Sequence, residues 1–172
     1  MSVEILEQPE AASVGAKHRV KILIIEDDEI MAHTLARHLR QQGFETVWAD
    51  RGQTGLAMAR SHRPTLVVLE LRLPDADGLA VCEQLVDDPA TCGIPVIAIS
   101  GRDVPDAVRR CRAAGCHFFL AKPCDPSVLV VLIRHAIADA SSWGDPRVEK
   151  VPGTFFGGEP RPADRHPSEK GS

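Results

Sequence analysis

The 172-residue chain, 44% hydrophobic and 26% charged, has the composition of a globular protein with room for one domain and tails. Its formal net charge of −4 gives no general electrostatic attraction to nucleic acid or anionic membranes. No apolar run approaches the ~20 residues of a membrane span, so a spanning protein is excluded too.

Met1 to Ala16 carries Glu4, Glu7 and Glu10 and lacks the basic-then-apolar layout of a signal peptide, which predicts a cytoplasmic protein. Residues 1–18 read as a polar, disordered leader. Val20 to Ile25 is a short apolar run, suited to a strand buried on both faces. Asp28 or a neighbour then caps a helix in which Ile30, Met31, Leu35 and Leu39 recur at helical spacing, and Gly43 ends it. Phe44 to Ala49 reads as a second strand, and Thr54 to Ser61 as a helix closed by Pro64. Thr65 to Leu69 is the third strand and Leu79 to Val86 the third helix. Pro95 to Ile99 follows as a strand, and Pro105 to Ala114 as a helix stopped by Gly115. His117 to Leu120 is the fifth strand, and Pro126 to Ala138 the last helix, with proline at its start. The domain spans 19–139. The stretch 140–172 is Pro- and Gly-rich, which predicts a disordered tail, with Trp143, Phe155 and Phe156 as its sizeable apolar groups.

The five cysteines, Cys82, Cys92, Cys111, Cys116 and Cys124, form no CxxC pair and are odd in number. They read as reduced thiols packed as small hydrophobes; even with His117, no ligand pair has zinc spacing.

Strand and helix alternate five times with short connections. The pattern demands a parallel sheet covered by helices on both faces, with chemistry at the C-terminal strand ends. There the first strand delivers Glu26-Asp27-Asp28, the third Glu70, the fourth Ser100-Gly101 and the fifth Lys122-Pro123. Acids gathered on one edge repel unless a cation joins them. Lys122 is one, and a hard divalent ion such as Mg2+ is the natural second. Such a set suits phosphoryl transfer to a carboxylate: metal and lysine neutralise phosphoryl oxygens while the Ser100 hydroxyl donates to another.

The segments Ile22 to Glu29, Leu66 to Gly78, Ile94 to Ser100 and Phe118 to Pro123 resemble the receiver domain of bacterial two-component response regulators, of the chemotaxis-regulator kind. The resemblance covers Lys21 to Ala138. It implies a flavodoxin-like α/β sandwich, with a five-stranded parallel sheet in order 2-1-3-4-5 and five helices. It implies that Glu26 and Asp27 bind Mg2+ with the carboxylate of residue 70 and the backbone carbonyl of Arg72. Ser100 and Phe119 match the switch pair, Lys122 the family's lysine, and Pro123 follows a cis peptide bond. It implies a signalling module rather than an enzyme, with a sensor histidine kinase or other signalling protein as partner.

The chain departs from that pattern at one place. The family's phosphoacceptor is aspartate, and this chain has Glu70. Asp75 and Asp77 are poor substitutes, since they lie in the loop beyond the strand and Asp77-Gly78 looks like a turn into a helix. The longer side chain reaches towards Ser100 and Lys122 and away from a metal that tolerates little deviation from octahedral geometry, so weakened Mg2+ binding is expected. Three readings stay open: a phosphorylation-independent pseudo-receiver in a resting-like state, one biased active, and residual phosphorylation at Glu70 or a neighbouring acid. Ser100 drawn to Glu70 with Phe119 buried favours the active bias, and Phe119 turned outward the resting state. A flavin module on the same fold is disfavoured, because the loop after the first strand is acidic.

On the last helix, Leu129, Val130, Ile133 and Ile137 form the expected sheet-facing stripe. Val128 and Leu132 fall outside it, an apolar patch suited to docking or homodimerisation. Arg109, Arg110 and Arg112 on the preceding helix read as a solvated face or a surface that steers an acidic partner. No recognition helix follows, so no nucleic-acid site is expected.

Overall fold

The computed structural model describes residues 19–101 and 106–142. The expected leader, the aromatic residues of the tail and Pro105 lie outside the described residues. Among the described residues five strands, β1 (Lys21–Ile25), β2 (Glu45–Ala49), β3 (Leu66–Glu70), β4 (Val96–Ser100) and β5 (Phe118–Ala121), alternate with five helices. These are α1 (Glu29–Gln41), α2 (Gly52–His62), α3 (Gly78–Asp87), α4 (Ala107–Ala113) and α5 (Pro126–Ser142). The sheet is wholly parallel in the order β2-β1-β3-β4-β5.

Burial explains why the central strands read as unbroken apolar runs. Every side chain from Ile22 to Ile25, Leu66 to Leu69 and Val96 to Ile99 is buried, because helices cover both faces of a parallel sheet. The two-residue strand period splits these residues between two cores. Leu23, Ile25, Val67 and Leu69 pack beneath α2, α3 and α4. Ile22, Ile24, Leu66 and Val68 pack beneath α1 and α5. Each fully buried Leu or Ile contributes roughly 1.5–3 kcal/mol relative to exposure.

The first helix has its expected termini, and others differ. Asp28 caps α1, accepting from the Met31 amide at 3.0 Å, and Gly43 leaves the helix at φ +88°. The second helix starts earlier than Thr54 because a remote residue caps it. Asp75, in the β3–α3 loop, accepts from the Gly52 amide at 2.8 Å and the Gln53 amide at 3.0 Å. Two otherwise orphaned amides are thereby satisfied. Helix α5 continues past Ala138 to Ser142.

The loop that carries the site's third strand back into α3 is tight. Arg72 and Asp77 form a single antiparallel bridge, and Asp77 caps α3 by accepting from the Leu79 amide at 3.0 Å. A Cβ on Gly78 would lie 2.4 Å from the Glu70 carbonyl oxygen and 2.5 Å from Leu71 Cα, so no side chain fits there. This close approach holds the helix start directly under the end of β3.

Candidate functional site

Four strands end on one edge, and four of the expected side chains are linked there in a row, Glu26 to Lys122, Lys122 to Glu70 and Glu70 to Ser100. Glu26, Glu70 and Ser100 are buried at this edge, and Lys122 stands just beyond β5. The strands fix these positions through the main chain. The Glu26 amide donates to the Ala49 carbonyl at 3.0 Å, and the Trp48 indole donates to the Glu26 carbonyl at 2.8 Å. The Lys122 amide donates to the Ser100 carbonyl at 2.7 Å, and the Lys122–Pro123 bond is cis, as the sequence resemblance implied.

Lys122 Nζ lies 2.6 Å from Glu26 Oε2 and 2.6 Å from Glu70 Oε2, one ammonium between two carboxylates. The other Glu70 oxygen, Oε1, accepts from the Ser100 hydroxyl at 2.6 Å and from the Arg72 amide at 2.9 Å. The glutamate is long enough to lay one oxygen against serine and loop amide while the other stays on lysine. Among the described residues Glu26 has a poorer set: Lys122 on Oε2 and, on Oε1, a long contact from the Asp28 amide, 3.4 Å.

This difference sets the two acids apart electrostatically. Burial pushes the Glu26 carboxyl up, and Lys122 only partly offsets it while the Glu70 charge adds to the rise. Burial acts on Glu70 in the same direction, but the Lys122 ammonium, the Ser100 hydroxyl and the Arg72 amide together outweigh it. They hold Glu70 below the usual carboxylate value. Burial alone would lower the Lys122 ammonium, and its two carboxylate partners instead hold it above its ordinary value. At neutral pH the lysine is therefore charged.

The remaining expected residues are placed differently. Asp27 is exposed at the rim. Arg72 contributes its backbone amide to Glu70, and its guanidinium lies over Gly101, where a Cβ would sit 2.7 Å from one of its nitrogens. Phe119 is half-buried and packs against the core beneath α2, α3 and α4. Arg109 is exposed and pairs with Asp106 at 3.0 Å, and Arg110 reaches Asp77 at 3.6 Å. Arg112 is half-buried, against the expectation of a solvated face.

Leu132 needs the same correction. It packs half-buried against the core under α1 and α5, so the α5 apolar pair left exposed is Val128 with Val131, an i, i+3 rather than i, i+4 pair. The last helix turns its stripe slightly further round than spacing alone suggests, with Ala136 fully buried on it.

Sequence reasoning missed three contributors: the Arg72 amide, the Trp48 indole and the clasp of Asp75 on α2. Backbone donors leave no mark on a sequence. The Asp75 link joins residues 22 positions or more apart, beyond any local spacing rule.

Comparisons with known proteins agree with this fold and edge. The family model of the response regulator receiver domain matches residues 22–134, well over half the chain. The polar-differentiation response regulator DivK of Brucella anthropi is 31% identical over 119 residues, covering 69% of this chain and 97% of that protein. The signal receiver domain of a signal transduction histidine kinase from Syntrophus aciditrophicus superposes with a TM-score of 0.65 at 29% identity, over 78% of this chain and 98% of that one. A CheY-like receiver domain protein from Methanospirillum hungatei shares the fold at a TM-score of 0.69 and 23% identity, over 73% of this chain and 99% of its own. The chain belongs to the response regulator receiver domain family, the signalling modules of two-component systems.

Receiver domains generally bind Mg2+ at this acidic edge. The donors here fit that ion poorly. Both Glu70 oxygens and Glu26 Oε2 are already engaged, Lys122 stands between the two carboxylates, and Asp27 is exposed. Among the described residues no group of three or more His, Cys, Asp or Glu is arranged to hold a metal. No described helix is long and apolar enough to cross a membrane.

Proposed function

We propose that this chain is an atypical receiver, a pseudo-receiver whose switch is held by its own Glu70 and which signals through protein–protein contact. The observation that carries the reading is the 2.6 Å hydrogen bond from the Ser100 hydroxyl to Glu70 Oε1, made while Glu70 Oε2 holds Lys122 at 2.6 Å. Serine and lysine are the two side chains that would receive a phosphoryl group, and here a carboxylate engages both. Glu70 supplies one negative charge, against about 1.5–2 and three acceptor oxygens for a phosphate, so it reproduces part of that anion.

Ser100 drawn to Glu70 supports the active-biased form over the resting-like one, while the half-buried Phe119 meets neither the buried nor the outward expectation. Glu26, Glu70 and Lys122 sum to −1, and the lysine is occupied, so an incoming phosphoryl anion meets an unreceptive edge. The implied partners are a sensor histidine kinase or another signalling protein, and a second copy docked on the exposed Val128 and Val131 of α5.

A second reading, an Mg2+-dependent phosphoacceptor at Glu70 or a neighbouring acid, is favoured by the retained Ser100 and Lys122. Incubation with acetyl phosphate and Mg2+, followed by intact mass measurement, separates the two. Wild type is expected to stay unmodified while Glu70→Asp gains one phosphoryl group; a metal-dependent gain on wild-type Glu70 sinks the pseudo-receiver reading.

A further inference from the structure

Away from the strand-end site, the densest group of reactive side chains is sulfur. Cys82 lies on α3, Cys111 on α4 and Cys116 in the turn before β5, all buried. The Cys116 thiol donates to Cys82 Sγ at 3.2 Å, and the Cys82 thiol donates to the Ala114 carbonyl at 3.4 Å. The Cys116 amide closes the end of α4 on the Cys111 carbonyl at 2.9 Å. We infer that Cys82 and Cys116 are a reversible dithiol–disulfide pair that fastens α3 to the end of α4 under oxidising conditions.

The geometry favours this pair. A disulfide requires about 2.05 Å between sulfurs, so the two need to close by roughly 1.2 Å. Cys116 can supply that movement because it stands in a turn, after Gly115 at φ +92°, while Cys82 is fixed in a helix. A Cβ on Gly115 would lie 2.9 Å from a Val86 methyl, so the turn already rests against α3. Cys116 retains 7% exposure, against none for Cys82 and Cys111, so a small oxidant arrives there first.

With a peroxide as oxidant the atoms balance in two steps. The Cys116 sulfur attacks one peroxide oxygen, the O–O bond breaks, and a sulfenic acid and one water result. The Cys82 sulfur then displaces the sulfenic oxygen as a second water, leaving the S–S bond. Two thiols and one hydrogen peroxide thus give one disulfide and two waters, with sulfur oxidised and peroxide reduced. Hydrogen bonds with Cys111 and Cys82, and then burial, push the Cys116 thiol up, so it is a slow nucleophile and the bridge forms more slowly than oxidation of exposed Cys92.

The bridge would pin the segment that joins Ser100 to Phe119, since Cys116 precedes Phe119 by three residues. It needs nothing from the reading of Glu70. The test treats the full chain with hydrogen peroxide, unfolds it in an alkylating reagent and maps the peptides. The expected product is a Cys82–Cys116 linked peptide, lost on dithiothreitol treatment, with Cys111 alkylated and amide exchange in α4 slowed. Cys116→Ser should abolish the link, and Cys111→Ala, which leaves both partners in place, should keep it. A link through Cys111, or free Cys82 and Cys116 in a sample whose Cys92 is oxidised, overturns the inference.

Discussion

The ends of β1 and β3 each present a buried glutamate to the same lysine, yet the two carboxylates live in different electrostatic worlds. Glu26 receives Lys122 and a long amide contact, whereas Glu70 receives Lys122, a hydroxyl and a well-placed amide. The same ammonium therefore leaves one acid raised and the other lowered. What tunes a buried carboxylate is its whole set of donors, and of two side chains of equal length the one at the end of β3 has the fuller set.

Breaking the shared lysine should erase the comparison at the largest cost. Lys122→Met leaves two buried carboxylates facing each other, and a loss of about 3–5 kcal/mol is expected in urea unfolding, the range for an orphaned partner of a buried ion pair. A loss under 1 kcal/mol would mean that water already screens the trio. Ser100→Ala sharpens the comparison instead, because it touches Glu70 alone. It should cost about 1.5–3 kcal/mol, as for a hydrogen bond to a charged group, and should raise the Glu70 carboxyl towards Glu26.

The smallest effect is a pair of opposite pH limbs. Glu70 is held low, so its stabilisation is present above the ordinary value of 4.5 and is lost as pH falls below it through the folded-state value. The stability gap between wild type and Glu70→Gln should therefore shrink below pH 4.5. Glu26 is held high, so ionising it costs stability. Wild type should gain relative to Glu26→Gln as pH falls through the raised value towards 4.5. Thermal unfolding across pH 3–8 (roughly the range both limbs span) checks both; parallel limbs would deny the contrast.

Much of this was legible because a parallel α/β sheet converts sequence order into spatial order. Five apolar runs in a parallel sheet put the one or two residues after each run on one edge, which brings Glu26, Glu70, Ser100 and Lys122 together. Alternation could not show how far α5 rotates, and so it left Leu132 outside a stripe that it partly joins. Nor could it reveal Asp75 capping α2, the Arg72 amide on Glu70, or the meeting of Cys82 with Cys116 across 34 residues. Those contacts depend on where loops cross, and a local pattern has no term for that. At Glu70 the carboxylate lies against Ser100 and Lys122, the direction in which its longer side chain is expected to reach.

Carboxylate NMR on protein with 13C-labelled glutamate side chains, titrated with acid in the absence and presence of Mg2+, tests that arrangement most directly. The Glu70 signal is expected to titrate below pH 4.5, to shift upward in Ser100→Ala, and to stay unmoved by added Mg2+. A Glu70 signal that titrates above 4.5, or one that moves with Mg2+ in the wild-type protein, contradicts the account.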